Sequence, residues 1–162
     1  MLSEEQLSNI RRRLEDSQNP LFLFDNDTDG LCAFLLLRRH IGRGKGFPIK
    51  SFPELNSSYE RRLEELKPDV LFILDKPLVS PDFLEIAKRR NISVIWIDHH
   101  DVPMPNIPEG VEYYNPLRTD NPSGEPTTYQ AWLVTKNKND MWLAMVGCLA
   151  DAYLPSFSSD LV

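Results

Sequence analysis

The chain predicts an α/β fold, a doubly wound and mostly parallel five-stranded sheet flanked by helices on both faces. Three observations carry that expectation. Four apolar runs at 21–24, 49–52, 70–74 and 92–97 have strand length, helix-like segments separate them, and acidic or imidazole groups collect where several of them end. Strands alternating with helices favour parallel pairing through crossover helices. Ligands of such sheets sit beyond the carboxyl ends of the strands.

The elements follow in order. Ser3 with Gln6 forms a capping box, and Leu7, Ile10 and Leu14 recur at helical spacing, so the chain opens with an amphipathic helix. Strand 21–24 leads into a helix at 31–41. Strand 49–52 precedes a helix at 59–66 with Ser57 and Ser58 as cap candidates. Strand 70–74 precedes a helix at 81–90, with Ser80 as N-cap and Pro81 at the first helical position. After strand 92–97, the proline-rich stretch 102–126 reads as a long loop around a short fifth strand at 111–114; such loops inside a domain are functional or linking. Helices at 127–135 and 141–152 follow, the second carrying Met145, Val146, Leu149 and Ala150 toward Asp151. Residues 1–155 make one domain. The stretch 156–162 reads as a tail or the start of a linker, without structure of its own, into a longer protein.

Bulk properties narrow the class. A chain of 162 residues suits a single core that buries roughly two-thirds of the unfolded surface. With 41% hydrophobic and 26% charged residues, and no apolar stretch near the roughly 20 residues a membrane helix needs, no membrane partner is expected. The start Met1-Leu2-Ser3 lacks a basic, apolar leader, and Cys32 and Cys148 lack metal or redox spacing, which fits a reduced, cytoplasmic setting. A net charge of −6 argues against binding polyanions by bulk charge alone, although bound cations would neutralise several carboxylates.

The chemistry lies at the ends of the apolar runs. Asp25-Asn26-Asp27-Thr28-Asp29-Gly30 follows the first, Asp75 the third, and Asp98-His99-His100 the fourth, while Asp151 ends the last helix. Singly, each aspartate reads as a cap or turn former, and the histidines as a satisfied core pair or surface residues. Their co-occurrence at four element ends points instead to a cation site. Oxygen donors with one or two imidazoles suit manganese or magnesium, and two such ions roughly 3.5–4 Å apart clamp a transferring phosphoryl group. Arg38, Arg39, His40, Arg43 and Lys45, with Arg61, Arg62, Lys88, Arg89 and Arg90, offer a strand-binding surface but read better as solvated helix faces. Phe52, Tyr59, Tyr113, Tyr114 and Tyr129 could stack bases but are assigned to the core.

At these residues the chain resembles the DHH phosphoesterase superfamily, named for the tripeptide present here as Asp98-His99-His100. Motif one is the 25–30 segment, motif two is Ile73-Leu74-Asp75-Lys76-Pro77, and motif four is Gly147-Cys148-Leu149-Ala150-Asp151. Asn115-Pro116 and Pro126-Thr127-Thr128-Tyr129 resemble the family's segment between motifs three and four. The resemblance implies two divalent ions, both expected to be manganese, with magnesium the alternative. Asp27 would belong to the first ion, Asp75 to both, and Asp29, His99 and Asp151 to the second, with Asp25 a further candidate. His100 would face the substrate phosphate, and Asp98 would orient the imidazoles.

Within the superfamily, family II pyrophosphatases and the nanoRNase or pAp-phosphatase branch carry a histidine four residues before the first-motif aspartate, where this chain has Leu23. The Asp-x-Asp-x-Asp-Gly form is similar to RecJ-like exonucleases. That implies hydrolysis of single-stranded DNA or RNA, with replication or repair proteins as candidate partners and a C-terminal substrate-binding domain that nothing in these residues resembles. Two alternatives remain open: a phosphoesterase for short oligonucleotides, cyclic dinucleotides or other small phosphoesters, and a non-catalytic replisome-associated scaffold.

Overall fold

The computed structural model describes residues 1–161. Its strands are β1 (Leu21–Asp25), β2 (Lys45–Ile49), β3 (Glu54–Leu55), β4 (Val70–Leu74), β5 (Leu78–Val79), β6 (Ser93–Ile97) and β7 (Val111–Tyr114). The α-helices are α1 (Glu4–Asp16), α2 (Thr28–Ile41), α3 (Glu60–Leu66), α4 (Pro81–Arg89), α5 (Thr127–Thr135) and α6 (Met141–Ala150). Five strands form one sheet in the order β2-β1-β4-β6-β7, with every neighbouring pair parallel. The short β3 and β5 pair separately, also in parallel.

Side chains alternate across the sheet, so consecutive residues feed two cores. Phe22, Phe24, Phe72, Leu74, Ile95 and Ile97 face α1, α2, α5 and α6. Leu21, Leu23, Leu71, Ile73, Val94 and Trp96 face α3 and α4. Burial on both faces explains why these strands read as unbroken apolar runs. Stacked pairs Phe22–Phe72 (centroids 5.1 Å apart) and Phe24–Phe34 (4.8 Å) fill the first core.

The strand order places the site. From β1 the chain moves outward to β2, then returns across β1 to β4 and continues to β6 and β7. The direction of winding therefore reverses between β1 and β4, and a crevice opens beyond their carboxyl ends. Asp25 and Asp75 flank that crevice.

Several boundaries differ from the sequence reading. The second strand runs over Lys45–Ile49 rather than 49–52, because Gly46 lets the Phe34 ring cross it and an edge position tolerates Pro48. Residues 51–53 form a bend, which leaves Phe52 outside the core. The helix expected at 31–41 begins at Thr28, capped by Asp27. Ahead of α3, Asn56 rather than Ser57 or Ser58 caps a 3-10 turn, its side chain accepting from Ser58 N. The tail, expected to lack structure, is a 3-10 helix over Ser156–Leu161 whose Phe157 packs on Trp132 and Tyr129 at 5.0 and 6.2 Å between centroids.

Helix α6 lies close against its neighbours at Gly147, where a Cβ would run into Thr128 Oγ1 and sit 2.7 Å from Cys32 Cβ. Gly147→Ala should therefore lose about 1–3 kcal/mol of stability through overpacking. For a domain of this size that is a melting-point drop of roughly 3–10 °C by circular dichroism, and an unchanged melting point would show that the helices can separate freely.

Candidate metal centre

The first acidic segment is shaped by a helix start. Beyond β1 the chain turns, and Asp27 caps α2 by accepting from Gly30 N at 2.8 Å. Gly30 is required there, since a Cβ would lie 2.8 Å from Asp25 N and closer still to its carbonyl oxygen. Asp29, in the first turn, is 2% exposed. Its carboxylate accepts from Thr127 N at 3.0 Å and Thr128 N at 2.7 Å, while Thr128 Oγ1 donates to Asp29 O at 3.0 Å. Asp29 thus sits at the amino ends of two helices, α2 and α5, where the dipoles favour negative charge.

Asp75 leaves β4 in the left-handed region at φ 64, a conformation aspartate tolerates better than most residues. Its amide donates to Ile97 O at 2.9 Å, and Thr127 Oγ1 donates to its Oδ1 at 3.4 Å. The next residue, Lys76, is fully buried, and its Nζ donates to Asp25 Oδ1 and to Ser51 O, each at 2.8 Å. The buried indole of Trp96 donates to Lys76 O at 2.9 Å, fixing the turn from the opposite core.

The Asp98-His99-His100 segment leaves β6 beside β7, with Asp98 N donating to Tyr114 O at 3.0 Å. Asp98 is fully buried; its carboxylate accepts from His100 Nδ1 at 2.7 Å and His100 N at 3.2 Å. A carboxylate can only accept, so Nδ1 carries the proton and Nε2 is the free ring atom. Asn115 Nδ2 donates to His100 O and shares the Tyr113 hydroxyl, both at 3.0 Å. His99 Nε2 lies 3.3 Å from Asp75 Oδ1, 3.4 Å from Asp29 Oδ2 and 3.6 Å from Asp151 Oδ2. Asp151 occupies the carboxyl end of α6, an unfavourable place for a carboxylate without a cation.

Three overlapping donor groups result: Asp25, Asp27 and Asp75; Asp29, His99 and Asp151; and Asp75, His99 and His100. All six residues singled out as metal ligands thus lie together, with Asp75 and His99 each in two groups. Asp98 touches His100 alone among the two imidazoles.

The electrostatics are severe. Burial, then the carboxylates of Asp29, Asp27 and Asp98, push Asp75 up to about 12. Burial also raises Asp29 above the usual carboxylate range, despite its hydrogen bonds to Thr128 and Thr127. The hydrogen bond that His100 donates to the Asp98 carboxylate raises the His100 pKa. Among the described residues, Lys76 is the one lysine or arginine paired with these acids. Clustered hard oxygens with an imidazole, short of positive charge, are what a divalent cation of the magnesium or manganese type fits. Burial raises Cys32 to about 11 and Cys148 to about 12, so both remain inert thiols beside the centre.

The helper residues were harder to foresee. Thr127 and Thr128 hold the Asp29 carboxylate through backbone amides, which any residue type carries, their hydroxyls adding contacts to Asp75 and Asp29 O, and Tyr113 reads as a core aromatic. The basic residues weighed for strand binding are largely engaged within the fold: Arg39 with Asp140, His40 with Glu15, Arg61 and Arg62 with Glu65, and Arg90 with Glu60. Arg43 donates to the carbonyls of Glu15, Ser17 and Ile41.

A parallel sheet with a hard-donor centre at its switch point is suited to metal-dependent phosphoester hydrolysis. The family model for the DHH family, N-terminal domain, matches residues 21–152, and the chain belongs to that family. No curated protein matches it by sequence. Among solved structures it is similar to exonuclease RecJ bound to manganese, with a TM-score of 0.77 and 20% identity over 99% of this chain and 47% of that one. It is also similar to RecJ in complex with Mn2+ from Thermus thermophilus, with a TM-score of 0.69 and 23% identity over 91% of this chain and 24% of that one. The chain spans about half the length of the first relative and a quarter of the second.

Asp75 generates a pH prediction for the metal-free protein. Its pKa is raised from 3.8 toward about 12, so folding takes up a proton across that window. Stability is then greatest below the unfolded value and falls as pH rises. With chelator present, the melting temperature should drop from pH 5 to pH 8. Asp75→Asn, which keeps the left-handed backbone, should flatten that slope and raise the pH 8 melting point by about 4–8 °C, or roughly 2 kcal/mol. Parallel slopes for the two proteins would remove Asp75 as the source.

Proposed function

We propose that this chain hydrolyses phosphodiester bonds of single-stranded nucleic acid as the metal-dependent domain of a RecJ-like exonuclease, with residues 1–155 forming that domain. The three donor groups sharing Asp75 and His99 carry the reading. Asp27 and Asp75 would hold one divalent ion, and Asp75, Asp29, His99 and Asp151 a second, manganese first and magnesium next; Asp25 completes the first group while anchored to Lys76. Such ions, when bound, supply Lewis acidity toward water and toward the phosphoryl oxygens.

The remaining work falls to the chain. Thr127 and Thr128 hold Asp29 in place through main-chain donors, so that carboxylate needs no reorganisation as charge develops. Asp98 fixes the His100 tautomer with the proton on Nδ1 and raises its pKa, which favours a charged imidazole aimed at a phosphate oxygen. Asn115 pins the backbone on which that ring is carried.

A second reading, hydrolysis of short oligonucleotides or other small phosphoesters, is favoured by one observation. The arginines weighed for a long-strand surface are tied to acids and carbonyls of the fold. A scaffold that has lost catalysis fits less well, because the donor groups are complete.

The test is manganese-dependent hydrolysis of a length series, from a dinucleotide to strands well beyond the roughly 4–16 nucleotides that one binding fold covers, in DNA and RNA. Mononucleotide release from long strands supports the RecJ-like reading, and cleavage confined to the shortest members supports the second. Asp75→Ala should abolish turnover, and Asp98→Asn should lower it roughly 10–100-fold, the usual effect of losing a residue that orients a site imidazole. Wild-type rates in Asp75→Ala would sink the shared-ligand assignment.

A further inference from the structure

Phe52 is 75% exposed, more than any other large apolar side chain among the described residues. A lone exposed aromatic ordinarily requires no explanation. This one is different because the residue before it is tied to the metal centre and the chain after it is held against β5. Ser51 O, immediately before it, accepts from the buried Lys76 ammonium at 2.8 Å, and the same ammonium reaches Asp25 Oδ1 at 2.8 Å. Ser51 Oγ donates to Glu54 O at 2.6 Å, and Lys50 N donates to the Tyr59 hydroxyl at 2.8 Å. Beyond the bend, β3 pairs with β5, and Ser80 N donates to Leu55 O at 2.9 Å. The Lys76 Nζ lies 5.4 Å from the Phe52 ring centroid.

We infer that Phe52 is a stacking platform for a nucleobase of the substrate, the base next to the phosphodiester held at the metal centre. The inference rests on the phosphodiesterase reading above. Lys76 Nζ lies 2.8 Å from the Asp25 carboxylate and 5.4 Å from the ring centroid, which puts the ring within a nucleotide's reach of that donor group. The ring is offered in advance on a braced loop, so little conformational entropy is lost when a base settles on it. Every base has a π-face, so such a platform grips the strand without reading its sequence. It also supplies affinity where the fold leaves few free arginines, and it acts on the one or two nucleotides nearest the scissile bond. Phe52 is on this account a binding residue, and Lys76 positions it.

Two measurements separate this inference from the reading beneath it. The first compares hydrolysis of a short thymidylate strand with hydrolysis of an abasic strand of equal length and charge, in wild type and Phe52→Ala. On thymidylate the variant should lose roughly 5- to 150-fold in kcat/KM, mostly through KM, which corresponds to about 1–3 kcal/mol of stacking. The loss on the abasic strand should be much smaller, and Phe52→Trp should restore binding of thymidylate. Equal losses on the two strands would overturn the platform while leaving the phosphodiesterase standing. The second measurement needs no turnover: with magnesium present, Phe52→Trp fluorescence, after subtraction of the wild-type signal, should be quenched by thymidylate and not by the abasic strand. Equal quenching, or none, overturns the platform. A wild-type protein that cleaves neither strand sinks the phosphodiesterase reading, and the fluorescence contrast still decides the stacking.

Discussion

The mutual repulsion of carboxylates gathered at the β1–β4 crevice is the constraint on which the rest of the structure depends. Asp29, Asp75 and Asp98 are each at most 2% exposed, and Asp25, Asp27 and Asp151 stand around them. Taking even one ion out of water costs several kcal/mol unless charge or hydrogen bonds compensate. The chain meets that cost unevenly. Asp29 receives two backbone amides, Asp98 a histidine at 2.7 Å, and Asp25 a buried lysine at 2.8 Å, whereas the contacts of Asp75 are longer, a threonine hydroxyl at 3.4 Å and the His99 ring at 3.3 Å. Asp75 is accordingly the group driven furthest from its ordinary titration, to about 12. The residue with the weakest support from the chain belongs to two donor groups, which is where a divalent cation stabilises most.

Much of the architecture beneath the crevice holds those groups at fixed separations. The Asp75 turn is attached to β6 through Ile97 O, and the Asp98 turn to β7 through Tyr114 O, so the sheet itself sets the spacing of the two motifs. Trp96 reaches from the opposite core to Lys76 O, and Asn115 from the end of β7 to His100 O. Helix α5 contributes through its first turn, with Thr127 and Thr128 on Asp29. These positioning contacts run through backbone atoms on at least one side. Such supports resist rotamer changes, which suits a site that must keep like charges close together.

Both the fold and the donor groups were legible in the sequence to the extent that they follow from local pattern. Unbroken runs such as Val70–Leu74 announce strands buried on both faces, and Asp75 or Asp98 at their ends is visible because parallel sheets place ligands there. What escaped depends on tertiary contact. The second strand shifted toward Lys45–Ile49 because Gly46 accommodates Phe34 from α2, a packing relation that apolar content does not encode. Thr127 and Thr128 reach the Asp29 carboxylate through amides, so a residue pattern could mark the segment without revealing that partner. Phe52 looked like the end of a strand, and only the bend after Ile49 exposes it. The final segment over Ser156–Leu161 is short and polar apart from Phe157 and Leu161, and the docking of Phe157 on Trp132 is decided by a surface that exists only once α5 is in place.

The distribution of positive charge bears on how a domain with net charge −6 would attract a polyanion. Arg39 and Arg90 pair with acids on neighbouring elements, Arg61 and Arg62 share Glu65 within α3, and Lys76 pairs with Asp25. Divalent ions at the crevice would therefore be the main local source of positive potential, and low-dielectric walls focus such a field toward the mouth of a cleft. On the proposed phosphodiesterase reading, attraction confined to that point would favour the phosphodiester nearest the donor groups and leave distant phosphates unassisted. Recognition within this domain would then depend on contacts close to the chemistry. On that reading long-range electrostatic capture would contribute little, because Arg39, Arg43, Arg61, Arg62 and Arg90 already have partners within the fold.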